Sequence, residues 1–314
     1  MIDIQIINED VLDGLAMLED ESVNCVVTSP PYWGLRDYGV DGQIGLEDTP
    51  EAFAGRLASV FRDVRRVLKS DGTLWLNLGD TYAGGGNGAR DPERWPKQSR
   101  NDHRVKHHHR RPAPPIKQKD LVGIPWLVAF ALRADGWYLR QDIIWHKPNV
   151  MPESVKDRCT KSHEYIFLMT KSSRYQYNAD AIKEPCSEES IKRSKRKHRP
   201  NKKRVAQQTQ NPSSLDRGNG PLKMTKMRNK RSVWRIPNKP FAKAHFATFP
   251  EALAEPCIKA GCPEGGIVLD PFGGSGTTAV AAAKLNRNAI LIELNPEYAQ
   301  LAADRIANEF PAEG

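Results

Sequence analysis

Short apolar runs alternate along the chain with longer stretches in which apolar positions recur every third or fourth residue, the two periods of strand and helix. Ile2 to Ile7 reads as a first strand, and Asn8-Glu9-Asp10 supplies an acidic turn and helix cap ahead of Val11, Leu12, Leu15 and Leu18 at helical spacing. Val23 to Thr28 is a second strand. Thr49-Pro50 opens a helix whose Phe53, Leu57, Val60, Phe61, Val64, Val67 and Leu68 form one stripe. Ser70-Asp71-Gly72 reads as the turn that ends it, and Thr73 to Leu78 as the third strand. Strand, helix, strand at this spacing is a right-handed parallel crossover, the unit of a doubly wound α/β fold with a mostly parallel sheet.

Further along, Pro125 opens a helix over Ile124 to Ala134. Trp137 to Trp145 is a strand closed by His146-Lys147-Pro148-Asn149, and Ser162-His163-Glu164 introduces another at Tyr165 to Thr170. The last quarter predicts a helix over Phe249 to Ala260, a strand over Gly266 to Leu269 and a glycine-rich turn over Asp270 to Thr278. A helix over Ala279 to Leu285 follows, then a strand over Asn288 to Ile292 ending at Glu293, and a closing helix begun by Pro296. Two stretches break the pattern. Residues 79–119 combine three consecutive glycines, three consecutive histidines, prolines and arginines into a basic loop, and residues 183–235 form a second irregular block dominated by Lys and Arg between Ile191 and Arg204.

Composition sharpens this picture in two respects. The chain has 314 residues, 39% of them apolar, and a net charge of +9 that is concentrated in the irregular blocks, which points to a polyanionic partner. No apolar run approaches the roughly 20 residues of a membrane span, and the N-terminus has neither a basic n-region nor a cleavage site, so a cytoplasmic protein without membrane partners is expected. Five scattered cysteines in a chain of this size read as reduced thiols.

Two stretches carry candidate chemistry. Thr28-Ser29-Pro30-Pro31-Tyr32-Trp33 follows a buried strand, and its two prolines fix φ, remove two donors and force Ser29 out of the helical region. The turn is therefore a rigid set of outward-facing acceptors with an aromatic lid, at the sheet edge where ligands of open α/β folds bind. The second is Asp270-Pro271-Phe272-Gly273-Gly274-Ser275-Gly276-Thr277-Thr278 with Glu293. Glycines after a strand admit a nucleoside close to the backbone, and an acid ending the next strand can hold ribose hydroxyls. The spacing is neither G-x-G-x-x-G nor a phosphate loop, so the cofactor is a nucleoside without pyrophosphate, which S-adenosylmethionine fits.

With these residues the chain resembles the DNA amino-methyltransferases of the permuted β group, bacterial and phage enzymes that methylate exocyclic N4 of cytosine or N6 of adenine. Thr28 to Trp33 is similar to the catalytic motif (D/N/S)-P-P-(Y/F/W), Asp270 to Thr278 to the glycine motif, and Glu293 to the ribose-binding acid. His245-Phe246-Ala247-Thr248-Phe249-Pro250 is similar to the segment that helps hold the methionine part of the cofactor. The resemblance implies a circularly permuted methyltransferase fold, S-adenosylmethionine as cofactor and double-stranded DNA as partner. It also implies Ser29, Pro30, Pro31 and Tyr32 as catalytic residues. Asp10, Thr248, Phe249, Asp270, Pro271, Phe272, Gly274, Ser275, Gly276, Thr277 and Glu293 are implied around the cofactor, with Asp10 equally readable as a helix cap. The family's target-recognition region falls in the interval occupied by the second basic block. Residues 183–235 are accordingly expected to be a DNA-binding insertion, with Lys192, Arg193, Lys195, Arg196, Lys197, Arg199, Lys202, Lys203 and Arg204 on the phosphates, and residues 1–182 and 236–314 the catalytic domain.

The chemistry agrees with the residues. An exocyclic amino nitrogen is a poor nucleophile because its lone pair is delocalised into the ring, and acceptors for its protons, Ser29 Oγ and the Pro30 carbonyl, localise that pair without a covalent intermediate. Tyr32 would stack on a base flipped from the duplex, and Trp33 lines the same pocket or packs in the core. Lys147 and Trp145, with His163-Glu164 behind them, are candidates both for the flipped nucleotide and for packing. Ser at the first motif position is more typical of N4-cytosine members, which makes site-specific N4 methylation the favoured reading and N6 of adenine the alternative. A non-enzymatic nucleic-acid-binding protein and an RNA methyltransferase are remoter readings, and a homodimer and a cognate restriction endonuclease stay open as partners. Pro185-Cys186 and Pro256-Cys257 follow no strand-to-loop signal of a thiolate nucleophile, and the His103 to His109 and Cys257/Cys262 groups lack zinc spacing, so no metal is expected.

Overall fold

The computed structural model describes residues 2–34, 42–83, 116–194, 226–238 and 249–311. The chain divides into two compact units, Ala179–Arg231 and the remainder on both sides of it. The strands of the larger unit are β1 (Ile4–Ile7), β2 (Val23–Thr28), β3 (Leu68–Leu78), β4 (Tyr138–His146), β5 (His163–Thr170), β8 (Val233–Arg235), β9 (Ile267–Asp270) and β10 (Asn288–Ile292). They form one sheet in the order β1-β10-β9-β2-β3-β5-β4-β8. Every neighbouring pair is parallel except those made by β5, which runs against both β3 and β4. This is the mostly parallel, doubly wound α/β sheet expected from the alternation of periods.

The helices are α1 (Val11–Ala16), α2 (Pro50–Val67), α3 (Ile124–Ala134), α5 (Glu251–Gly261), α6 (Thr277–Lys284) and α7 (Pro296–Glu309). Their starts follow local chemistry. Asp10 accepts the Leu12 N–H at 2.9 Å, Thr49 the Ala52 N–H at 3.1 Å and Asn295 the Glu297 N–H at 2.8 Å, with Pro50 and Pro296 at the first helical positions. A cap is worth about 1 kcal/mol, whereas each buried Leu, Val or Phe contributes about 1.5–3 kcal/mol. It is therefore the stripe Phe53, Leu57, Val60, Phe61, Val64 and Val67, all fully buried, that fixes α2 on the sheet. α1, α2 and α3 pack together, as do α5, α6 and α7.

The turn expected at Ser70-Asp71-Gly72 is not there. α2 passes directly into β3, and the extra residues are absorbed as a bulge, since Val23 pairs with Leu68 but Cys25 with Thr73. The cause is packing: Leu68 is fully buried and its side chain occupies the space beside Gly72, where a Cβ would lie 2.5 Å from Leu68 Cδ1.

Within the smaller unit, β6 (Glu184–Pro185) and β7 (Met227–Arg228) form a two-stranded antiparallel sheet, and α4 spans Glu188–Ser194. Arg228 and Arg231 both donate to Glu184 Oε1, at 2.9 and 2.6 Å. Val233 to Arg235, read from the sequence as the tail of the basic block, lies instead in the large sheet, and Trp234 is buried there.

Candidate active site at the switch point between β2 and β9

β2 continues through α2 to β3 on one side, and β9 through α6 to β10 on the other, so the sheet order reverses between β2 and β9. The two strands pair in parallel, Cys25 with Val268 and Val26 with Leu269. Their carboxyl ends, which carry the Ser29 turn and the glycine turn, are thereby side by side at the crevice where doubly wound folds bind ligands.

One buried carboxylate joins the two turns. Asp270, 2% exposed, accepts the Thr28 hydroxyl on Oδ1 at 2.7 Å and the Thr278 hydroxyl on Oδ2 at 2.7 Å, and Oδ1 also receives the Phe272 N–H at 3.1 Å. The side chain thus faces into the sheet and spans β2, β9 and α6. Burial raises its pKa to about 7, against the opposing pull of the two hydroxyls and the amide. A folded-state value above the unfolded one means that stability is fully present below about pH 4 and is lost as pH rises to about 7. Relative to an Asp270→Asn variant, the protein should lose up to about 1 kcal/mol per pH unit across that window and nothing more above it, as followed by urea denaturation. A wild type that gained stability relative to the variant as pH rose would contradict this.

The glycine turn is built to admit a nucleoside. Gly276 has φ +77° and packs against α7, where an added Cβ would meet Ala302 Cβ at 3.1 Å. Glu293 follows β10 and is held by two amides: Gly274 N–H donates to Oε2 at 2.7 Å and Asn295 N–H to Oε1 at 2.9 Å. Each oxygen keeps a lone pair for a ribose hydroxyl, and burial shifts the carboxyl pKa upward. Ser275 Oγ is buried and has no hydrogen-bond partner among the described residues. Such an orphaned hydroxyl, beside a pinned acid, fits a polar ligand in the turn. Arg305 braces the turn from behind through the Ser275 carbonyl and Thr277 Oγ1, and is itself paired with Glu251. Pro271 is buried, and Phe272 and Phe249 are half-buried; Asp10 caps α1. Thr248 lies outside the described residues.

On the other side, Pro30 is buried while Ser29, Pro31 and Tyr32 are half-buried. Ser29 Oγ lies 3.4 Å from the Tyr32 hydroxyl, which donates to Glu164 Oε2 at 2.8 Å. Trp33 packs against the core and donates its indole N–H to the Glu47 carbonyl at 2.8 Å, so it buttresses the turn. Lys147 pairs with Glu164 and stands 4.1 Å over the Trp145 ring. Two neighbours that the sequence had not singled out complete this side. Asn77, near the end of β3, donates to Glu164 Oε2 at 3.2 Å, and Gly79 lies directly against the Tyr32 ring. A glycine just past the carboxyl end of a buried strand was the available signal. Of the expected DNA contacts, Lys192 is exposed on α4 and 3.8 Å from Glu188. The Arg193 side chain and Lys195 to Arg204 lie outside the described residues.

Fold and crevice together define an α/β domain that sets a nucleoside-binding turn beside a rigid acceptor turn. The DNA methylase family model N6_N4_Mtase matches residues 23–304, and the chain belongs to that family. It is 48% identical over 303 residues to the type II methyltransferase M.SmaI of Serratia marcescens, covering 96% of this chain and 90% of the relative. To M.Cfr9I of Citrobacter freundii it is 46% identical over 302 residues, 96% of this chain and 86% of that one. A solved Thermus thermophilus structure complexed with S-adenosyl-L-methionine is 26% identical with a TM-score of 0.59, covering 98% of this chain and 95% of the other. The fold is shared with the PvuII DNA methyltransferase described as cytosine-N4-specific, at 19% identity and a TM-score of 0.63 over 96% and 86% of the two chains.

Proposed function

We propose that this DNA methylase transfers the methyl group of S-adenosylmethionine to N4 of a cytosine within a specific sequence of double-stranded DNA. The observation that carries the reading is the juxtaposition of the Ser29-Pro30 acceptors with the glycine turn across the β2–β9 pair. S-adenosylmethionine, held by Glu293 and the backbone of Gly274 to Gly276, supplies the electrophilic methyl group. Ser29 Oγ and the Pro30 carbonyl accept hydrogen bonds from the two amine N–H groups and direct the nitrogen lone pair, one proton is released to solvent once the methyl group has moved from sulfur to nitrogen, and the prolines keep both acceptors fixed. Tyr32 stacks on the base, which leaves the duplex to reach the turn. The neutral Ser29, in place of an acid, favours N4 of cytosine over N6 of adenine.

The smaller unit supplies the grip on DNA. Residues 179–231 hold 16 Lys and Arg against five Asp and Glu, which leaves 31 against 33 in the rest of the chain. The whole positive excess thus sits in one insertion, where phosphate contacts steer and position the duplex. The test is transfer of labelled methyl to duplex DNA, with RNA in parallel, followed by nucleoside analysis. N4-methylcytosine in DNA is the expected product. N6-methyladenine would overturn the choice of base, labelled RNA the choice of substrate, and no transfer the enzymatic reading.

A further inference from the structure

We propose that Glu164 is a positioning residue for the reaction: through the Tyr32 hydroxyl it fixes the plane of the aromatic ring on which the target base stacks. The inference rests on the reading of the Ser29 turn as the amine-binding site. The ring of Tyr32 lies against Gly79 so closely that a Cβ there would stand 2.5 Å from Cε2. A bare glycine surface limits approach but leaves the ring free to slide in its own plane. The shortest restraint on that sliding is the hydrogen bond from Tyr32 Oη to Glu164 Oε2, at 2.8 Å, with Ser29 Oγ and Asn77 Oδ1 each 3.4 Å from the same hydroxyl.

Glu164 is itself held from several directions. Oε1 is paired with the Lys147 ammonium, and Oε2 receives Asn77 Nδ2 at 3.2 Å, an amide that also donates to the Tyr165 carbonyl at 3.1 Å. The side chains of Lys147 and Glu164 are each 15% exposed, and the ammonium stands over the Trp145 ring. These anchors come from strands: Asn77 from β3, Glu164 from β5, and Lys147 just after β4, where Trp145 is the register partner of Glu164. A tether built on paired strands holds its geometry more tightly than one built on loops. A structural ion pair would need only Lys147 and Glu164. The tyrosine hydroxyl aimed at the same carboxylate is what connects that pair to the catalytic turn.

Steady-state kinetics of Glu164→Gln, Tyr32→Phe and the double variant test this. Tyr32→Phe keeps the stacking surface and removes the hydroxyl, and with it the 2.8 Å bond to Glu164 and the longer 3.4 Å contacts with Ser29 Oγ and Asn77 Oδ1, whereas Glu164→Gln leaves those two contacts in place; each single variant should lower kcat about tenfold, the scale of one charge-assisted hydrogen bond. KM for S-adenosylmethionine should stay within about two-fold, and the double variant should be no slower than the slower single one, because both remove the same contact. Wild-type kcat for Tyr32→Phe, or losses that multiply in the double variant, would overturn the proposal. If melting shows Glu164→Gln to be misfolded, Tyr32→Phe alone decides. Ser29→Ala, assayed alongside, separates the two levels. Full activity there refutes the amine-binding reading, whereas a slow Ser29→Ala beside an unimpaired Tyr32→Phe refutes only the tether.

Discussion

Ser29→Ala is expected to lower kcat by about 10²–10³-fold while leaving the affinity for S-adenosylmethionine within about two-fold, the cost of removing one preorganised polar contact at a reacting centre. The reason lies in how few groups face the amine. Pro30 and Pro31 contribute no N–H, so on the proposed reading the amine meets two acceptors, the Pro30 carbonyl and the Ser29 hydroxyl oxygen. Its removal leaves the Pro30 carbonyl to orient a nitrogen whose second proton is then unpaired. Protein stability should hardly change, because Ser29 is half-buried and the hydrogen bond its hydroxyl makes among the described residues, to Tyr32 Oη, is long at 3.4 Å. Single-turnover rates at saturating cofactor measure the effect, and an unchanged rate would remove Ser29 from the chemistry.

Glu293→Gln should raise the dissociation constant for S-adenosylmethionine about 100-fold, although the substitution looks conservative. Both carboxylate oxygens already accept backbone N–H groups, from Gly274 and Asn295. An amide can satisfy only one of them, because its NH2 group would face the other donor head-on. The turn must then shift, and the hydrogen bonds from the ribose to a charged acceptor, each worth about 1.5–3 kcal/mol, weaken together. Calorimetric titration reads the affinity, and kcat at saturating cofactor should fall far less than KM rises. Equal losses in both would mean that Glu293 acts on the transfer step instead.

The elements legible in the sequence were those specified locally. β2, α3 and β10 run close to the ranges read from their apolar periods, α2 begins at the Thr49-Pro50 pair that announced it, and α7 begins at Pro296. Misreadings arose where a distant partner decides. Ser70-Asp71-Gly72 has turn composition, yet the pairing of β3 with β2 makes it a bulge. β8 is three residues in a basic stretch, and its partner β4 lies about 90 residues earlier. The site divides in the same way. The Ser29 turn and the glycine turn announce themselves as motifs, and their adjacency follows from the doubly wound order. That Glu164 receives the Tyr32 hydroxyl across 132 positions of sequence depends on strand register, which no local pattern encodes. Asp270, grouped by its motif with the cofactor residues, directs its carboxylate inward because Thr28 and Thr278 both offer hydroxyls there.

That inward carboxylate ties both halves of the crevice to one side chain, and with cofactor and base bound as proposed the two ligands would be linked. Whatever factor the bound cofactor adds to the hold on the extruded base, the base must return to the cofactor, since a coupling free energy belongs to neither ligand alone. Thr28 is the last residue before the acceptor turn and Thr278 stands in the first turn of the helix behind the glycines, so the Asp270 carboxylate is hydrogen-bonded to both ends of the crevice. On the proposed reading, DNA affinity with and without cofactor would differ by that same factor. The order in which the two ligands arrive would change the path and leave the total gain the same by either route.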